Sequence, residues 1–125
     1  MTDLDMTEIF APEHEDRPHI VCICGSTRFR DEMADANRQL TLAGKIVVAP
    51  AVFQHRGDAI TDEQKQILDE LHLRKIDLAD AVFVVDPGGY IGESTTREIA
   101  YARSTGKPVV RLSQIEDSGT DPRKF

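Results

Sequence analysis

The sequence has no long apolar stretch and no charged-then-apolar segment at its start. These absences argue against a membrane-spanning helix and against a signal peptide, so the expected location is the cytoplasm. Positive charge is scarce. Lys and Arg number 15 against 22 Asp and Glu, for a formal net charge of -7. Wrapping duplex nucleic acid needs clustered Lys and Arg, so duplex nucleic acid is not an expected partner, and any anionic ligand must be small and held locally. There are two cysteines, Cys22 and Cys24. Two apart on a strand, they point to the same face. The expectation is a pair of buried small residues in a reducing compartment, rather than a disulfide or a metal pair. His14, His19 and His55 have no metal-ligand spacing among themselves. No metal and no cofactor is expected. No repeat or low-complexity segment is present.

What remains is an ordinary globular balance, 40% hydrophobic and 30% charged, in 125 residues, a length that suits one domain with a real core. Residues 1–18 are acidic and irregular and read as a loose leader. Residues 113–125 carry turn residues without periodicity and read as a tail. The folded domain is expected over residues 19–112.

Four short apolar runs lie in that domain: Ile20 to Cys24, Ile46 to Pro50, Ala81 to Val85 and Pro108 to Leu112. They are continuous and β-branched rather than alternating, which fits strands buried on both faces of a parallel sheet. Helical stretches separate them. Phe29 to Ala43 ends at Gly44, a C′ glycine. Asp62 to Ala79 follows Thr61, with Gln64 three residues on, the pattern of a capping box. Thr96 to Thr105 ends at Gly106. Strand–helix alternation predicts an α/β fold with right-handed crossovers, a flavodoxin-like or Rossmann-like three-layer sandwich on a parallel sheet of about four strands, order 2-1-3-4.

In that order the first and third strands are neighbours where the winding reverses, and ligands bind beyond their carboxyl ends. Two loops meet there. The first is Gly25-Ser26-Thr27-Arg28. Glycine lets backbone approach a ligand closely, the hydroxyls and N–H groups stand at a helix N-terminus where an anion is favoured, and Arg28 adds a planar fork suited to phosphate. The same residues also make a plain Ser or Thr cap on a glycine turn, and both readings stand. The second loop runs from Asp86 to Thr95 through Gly88, Gly89, Tyr90, Gly92, Glu93 and Ser94. Its glycines suggest close backbone approach, and Tyr90 is open to stacking on a base or to local packing. Glu98 follows. Thr95-x-x-Glu98 matches a capping box, while a carboxylate in a first helical turn facing the crevice is also placed for chemistry. Arg97 has two candidate roles, a phosphate contact or a helix-surface charge. Arg56-Gly57-Asp58 reads as a solvated turn.

The Cys24-Gly25-Ser26-Thr27-Arg28 run, the strand around Ala81 to Asp86, and Gly92-Glu93-Ser94-Thr95-Thr96-Arg97-Glu98-Ile99-Ala100-Tyr101-Ala102 followed by Gly106-Lys107-Pro108-Val109 resemble the nucleoside 2-deoxyribosyltransferase superfamily, over roughly Ile20 to Leu112. The 2′-deoxynucleoside 5′-monophosphate N-glycosidase branch is the nearer one, since its first loop is also a Cys-Gly-Ser-x-Arg run that holds the 5′-phosphate. The chain is also similar to a group of uncharacterised bacterial and phage proteins. The resemblance implies that Glu98 is a nucleophile attacking C1′ of the sugar to form a glycosyl-enzyme, which water or a second base then releases. It implies that Asp86 helps handle the base, that the Gly88 to Thr95 loop lies along sugar and phosphate, and that the protein is a homodimer or larger. Three departures stand out. His72 occupies the place of a family aspartate, with Asp69 one turn earlier, so a carboxylate-steadied imidazole is expected there, or else a surface pair. Ala100 replaces a glycine. Glu93 adds a carboxylate. Two functions follow as expectations: a nucleotide N-glycosidase or deoxyribosyltransferase with catalytic Glu98, Asp86, His72 and Asp69, or a nucleotide-binding sensor or regulatory module without turnover.

Overall fold

Ala81–Val85 is apolar without interruption, and a strand of that kind needs cover on both faces. It sits at the centre of the sheet with all five residues buried. The computed structural model describes residues 17–54 and 57–118, with the side chains of 116–118 excepted. Four strands, β1 (Ile20–Gly25), β2 (Ile46–Val48), β3 (Ala81–Val85) and β4 (Val109–Arg111), pair in parallel in the order β2-β1-β3-β4. The helices are α1 (Arg30–Leu42), α2 (Asp62–Leu78), α3 (Glu93–Ser104) and α4 (Leu112–Ser118), with short 3₁₀ turns at Thr27–Phe29 and Pro87–Gly89. The expected α/β class and strand order are therefore those observed. Among the described residues no helix is long and apolar enough to cross a membrane.

Side chains alternate along β1. Val21 and Ile23 face one layer with Met33, Ala36 and Leu40 of α1, Phe83 and Val85 of β3, and Ile115 of α4. Cys22 and Cys24 face the other, with Ile76 of α2, Val82 and Val84 of β3, and Ile99 and Ala102 of α3. This division follows from the strand order. Moving outward from β1 to β2 and then back to β3 puts α1 on one face and α2 and α3 on the other. Each fully buried Val, Ile or Phe contributes on the order of 1.5–3 kcal/mol of transfer free energy.

The local signals for α2 hold. Thr61 Oγ1 accepts from the Gln64 N–H at 3.1 Å, and Gln64 Oε1 accepts from the Thr61 N–H at 2.9 Å. At the other end Lys107 Nζ donates to the carbonyls of Asp77 and Ala79, which stabilises the negative end of the helix. Gly44 and Gly106 follow the ends of α1 and α3 as C′ residues.

Two expectations change. The third helix begins at Glu93, three residues before Thr96, because Gly92 takes the N-cap position and Thr95 is buried inside the first turn. The stretch from Ser113, read as tail, is helical through Ser118, since Ile115 buries against the Val21–Phe83 layer. Residues 1–16 and 119–125, most of the expected leader and the end of the expected tail, lie outside the described residues, as do His55 and Arg56. Within that expected turn Asp58 accepts from the Phe53 N–H at 2.7 Å.

The starts of β1 and β3 are tied by Asp80. Its carboxylate accepts from both terminal nitrogens of Arg17, at 2.7 and 3.3 Å, and from the Ile20 N–H at 2.8 Å. The Arg17 hydrogen bonds, opposed by burial and helped by the Ile20 amide, pull the Asp80 carboxyl down to about 2 from 3.8. A lowered folded-state value means that the unfolded chain binds the proton more readily. The stabilisation is complete above the unfolded value and is lost as pH falls through the folded one. Urea midpoints of wild type and Asp80→Asn should thus differ by a constant amount above about pH 5, and the gap should close as pH falls toward about 2. A gap independent of pH would show that the charge of Asp80 does not stabilise the fold.

Candidate functional site

The β1–β3 register sets the site. Val21 pairs with Ala81 and Gly25 with Val85, so both strands end level and their loops emerge side by side. Gly25 is required by this closeness. A Cβ there would lie 2.7 Å from the Val85 carbonyl oxygen and 2.9 Å from Met33 Cε. Beyond the two strand ends lies a cavity of about 300 Å³.

Most of the sequence-expected site residues meet in this cavity. Gly25, Ser26, Thr27 and Arg28 line it from the first loop, Tyr90, Gly92, Glu93, Ser94 and Thr95 from the second, Glu98 from α3, and Asp69 and His72 from α2. The first loop also makes its own cap: Ser26 Oγ accepts from the Arg28 N–H at 3.3 Å and closes the 3₁₀ turn. The Arg28 guanidinium lies 4.4 Å from the centre of the Tyr90 ring, and Phe29 meets that ring edge-on, so the two loops are clamped together through one aromatic side chain. The N-terminus of α3 opens into the cavity without a side-chain cap, which leaves first-turn N–H groups directed at whatever enters.

Glu98 is not a capping residue. Its helix starts at Glu93, so Glu98 stands in the second turn and its side chain is 14% exposed. Burial raises its carboxyl above the ordinary range. The neighbouring His72 charge opposes that, and the Cys22 and Asp69 charges add to it. His72 Nε2 lies 3.8 Å from Glu98 Oε1, 3.2 Å from Cys24 Sγ and 3.8 Å from Cys22 Sγ. Burial pushes the imidazole down, but the Cys22 hydrogen bond and the Glu98 charge outweigh it, and the net shift is upward. The Cys24 hydrogen bond, with help from His72 and against burial, pulls Cys22 down to about 6, while the same bond and burial hold Cys24 well above the usual thiol range. Both cysteines are free and fully buried. The ligand atoms of Cys22, Cys24 and His72 lie within 4.8 Å of one another.

Three expectations need correction. Asp86 does not line the cavity. It is fully buried, with its carboxylate taken up by Arg111 Nε at 2.7 Å, the Ser113 N–H at 2.8 Å and Ser113 Oγ at 2.8 Å. These bonds anchor α4 to the end of β3. Gly88 and Gly89 form the 3₁₀ turn behind it and are also absent from the cavity wall, because Arg111 draws the Gly89 carbonyl toward β4. Asp69 does not steady His72. It pairs with Lys65 at 2.9 Å, and the carboxylate beside the imidazole is that of Glu98. Arg97 takes the surface role, with Glu93 at 3.4 Å and Ser94 Oγ at 3.3 Å.

The sequence reading missed the opposite wall. Pro50, Ala51, Val52 and Ile60 come from the segment after β2, and Lys65, Leu68, Leu71 and Lys75 from α2. Together they make a largely apolar surface facing the two loops, and Lys75 Nζ holds the Ala49 carbonyl at 2.9 Å. A signal was present: residues 65, 68, 72 and 75 repeat at helical spacing along one face. Neither a family model nor a curated protein matches the chain.

The structural role of Asp86 can be checked directly. Asp86→Asn turns an amide N–H toward donors that have lost their acceptor, so the loss in urea unfolding should be roughly 2–4 kcal/mol. A change below a few tenths would mean that the α4 anchor contributes nothing.

Proposed function

We propose that the cavity binds a nucleoside 5′-monophosphate and that the chain cleaves or transfers across its N-glycosidic bond, as in the nucleoside 2-deoxyribosyltransferase superfamily. The observation that carries this reading is the placement of Glu98. A mostly buried carboxylate with no cap role stands in the wall of a cavity whose mouth holds Arg28 and an uncapped helix N-terminus. Arg28 and the α3 amides suit a dianionic phosphate. The apolar wall of Pro50, Val52, Ile60 and Leu68 suits the flat face of a base, and the sugar then lies between, toward Glu98.

In this reaction a Glu98 oxygen forms a bond to C1′ as the C1′–N bond breaks. The departing base keeps that electron pair and takes a proton, and water or a second base then cleaves the glycosyl ester. With Asp86 engaged elsewhere, the proton donor is sought among the carboxyls that do line the cavity, Asp69 and Glu93. His72 acts on Glu98 rather than on the base. A cytoplasmic location and a homodimer or larger assembly belong to the same proposal, and the exposed Ile67 and Leu71 of α2 are in keeping with the latter.

One observation favours the second reading, a nucleotide-binding sensor or regulatory module without turnover. The acid expected to handle the base is locked against Arg111 and Ser113. Chromatography of wild type with a panel of ribo- and deoxyribonucleoside monophosphates separates the two. The enzyme reading expects free base from at least one member and a loss on the order of 1,000-fold or more in Glu98→Gln, with folding retained. Undiminished release by Glu98→Gln would remove Glu98 as nucleophile. Thermal stabilisation without product would leave the binding module.

Arg28→Ala tests the phosphate site under either reading. Loss of a charge-assisted contact should weaken nucleotide binding about 10- to 100-fold, with little change for the matching nucleoside. Equal weakening of both would mean that Arg28 acts through Tyr90 packing and not through phosphate.

A further inference from the structure

We propose that Cys22, Cys24 and His72 form a binding site for a thiophilic divalent metal ion of the zinc class, with the Glu98 carboxylate as the fourth ligand. The chain's only two thiols stand on the same face of β1, and α2 brings an imidazole from 48 residues away down onto them. Their ligand atoms fall within 4.8 Å of one another. A tetrahedral zinc ion with bonds of about 2.3 Å to sulfur and about 2.0 Å to nitrogen sets sulfur and nitrogen about 3.5 Å apart. The observed separations of 3.2 and 3.8 Å lie on either side of that spacing. Glu98 Oε1 stands 3.8 Å from His72 Nε2 but outside the 4.8 Å group, so it moves inward to complete the set.

The donor set chooses the ion. Two thiolates and an imidazole favour zinc or copper(I) over magnesium, calcium or manganese, and a tetrahedral array with one carboxylate suits zinc. The surroundings also fit. On its opposite face β1 offers Val21 and Ile23 to an apolar layer, whereas here two thiols, an imidazole and a carboxylate are gathered in the interior. The thiols and the imidazole bond one another at 3.2 and 3.8 Å, and an ion placed among them takes over those bonds. His72 and Glu98 line the cavity, which gives the ion a route in. Binding balances simply: the ion takes the electron pairs of both sulfurs, and the protons held by the thiols and by His72 Nε2 leave to solvent.

The site does not depend on the reading of Glu98 as a nucleophile. If that reading holds, the ion occupies the same carboxylate and metal-loaded protein releases no base.

Cobalt(II) is the probe, added to reduced, chelator-stripped full-length protein and then displaced by zinc(II). The expected result is one ion per chain, with a thiolate-to-cobalt charge-transfer band and the intense ligand-field bands of a tetrahedral centre. Cys24→Ser should weaken binding by on the order of 100-fold or more. The double variant Cys22→Ser/Cys24→Ser should lose the charge-transfer band, and Glu98→Gln should keep it. Cobalt bound with an octahedral spectrum and no charge-transfer band would overturn the proposal, as would a band that survives the double variant. Should the cysteine variants fail to fold, alkylation of wild type under partial denaturation decides. Protection of both thiols by one equivalent of zinc supports the site, and unchanged reactivity overturns it. These readouts involve no nucleotide, so failure of the metal site and failure of the glycosidase reading are told apart.

Discussion

The pairing of β1 with β3 is the constraint on which everything else rests. Five consecutive residue pairs, from Val21–Ala81 to Gly25–Val85, make the longest ladder in the sheet. At its start Asp80 binds Arg17 and the Ile20 amide, and at its end Gly25 lies too close to the Val85 carbonyl to carry a side chain. A register slip by one residue would turn Cys22 and Cys24 to the wrong layer and move the loops out of line. Held at both ends, the ladder does two things at once. It opens a crevice where the winding reverses, and it presents both thiols to the helices that carry His72 and Glu98.

Two interior carboxylates show how environment divides labour between like groups. Asp86 receives three donors, one of them cationic, and its charge is spent on holding α4 to the end of β3. Glu98 is mostly rather than fully buried, and among the described residues its partner within ion-pair distance is His72 at 3.8 Å. Burial therefore lifts the Glu98 carboxyl, while both Asp86 oxygens are taken up by donors. A group that is poorly compensated in the resting protein is the one that gains from a ligand, a reacting centre or an ion.

Much of this architecture was legible in the sequence. The apolar runs marked all four strands because parallel strands covered on both faces need no alternation, and Thr61 with Gln64 marked the start of α2 because a capping box is a local device. The failures are all long-range. Thr95 looked like a cap because three adjacent hydroxyl residues offer the same local signal, and only its burial decides that Gly92 caps a helix starting at Glu93 instead. Asp86 looked like a ligand-handling acid because its partners, Arg111 and Ser113, lie 25 and 27 residues away. The helix after Arg111 is held by those same contacts and by Ile115, and its seven residues carry too little periodicity to stand out. The cavity's apolar wall was written along α2 at helical spacing, but no local rule says which cavity a helix face will meet. The residues expected at the site from the Gly25–Arg28 and Gly92–Thr95 stretches do line one cavity. The sequence reading did not foresee that His72 would face two thiols.

That last contact sets the charge balance at the base of the cavity. An ionised Glu98 in a mostly buried position needs a positive neighbour, and the Nε2 nitrogen of His72 stands 3.8 Å from its carboxylate. Burial disfavours the charged imidazole, while the Cys22 thiol and the Glu98 carboxylate favour it, and the net shift is upward. Thiol, imidazole and carboxylate thus form a row in which each member's protonation depends on the next. A divalent cation placed among them would supply the positive charge that His72 otherwise provides, and would release the imidazole nitrogen to act as a ligand. If Glu98 is the nucleophile proposed above, a sugar and a metal ion compete for one carboxylate beside His72. The competition arises because one strand carries cysteine where its opposite face carries valine and isoleucine.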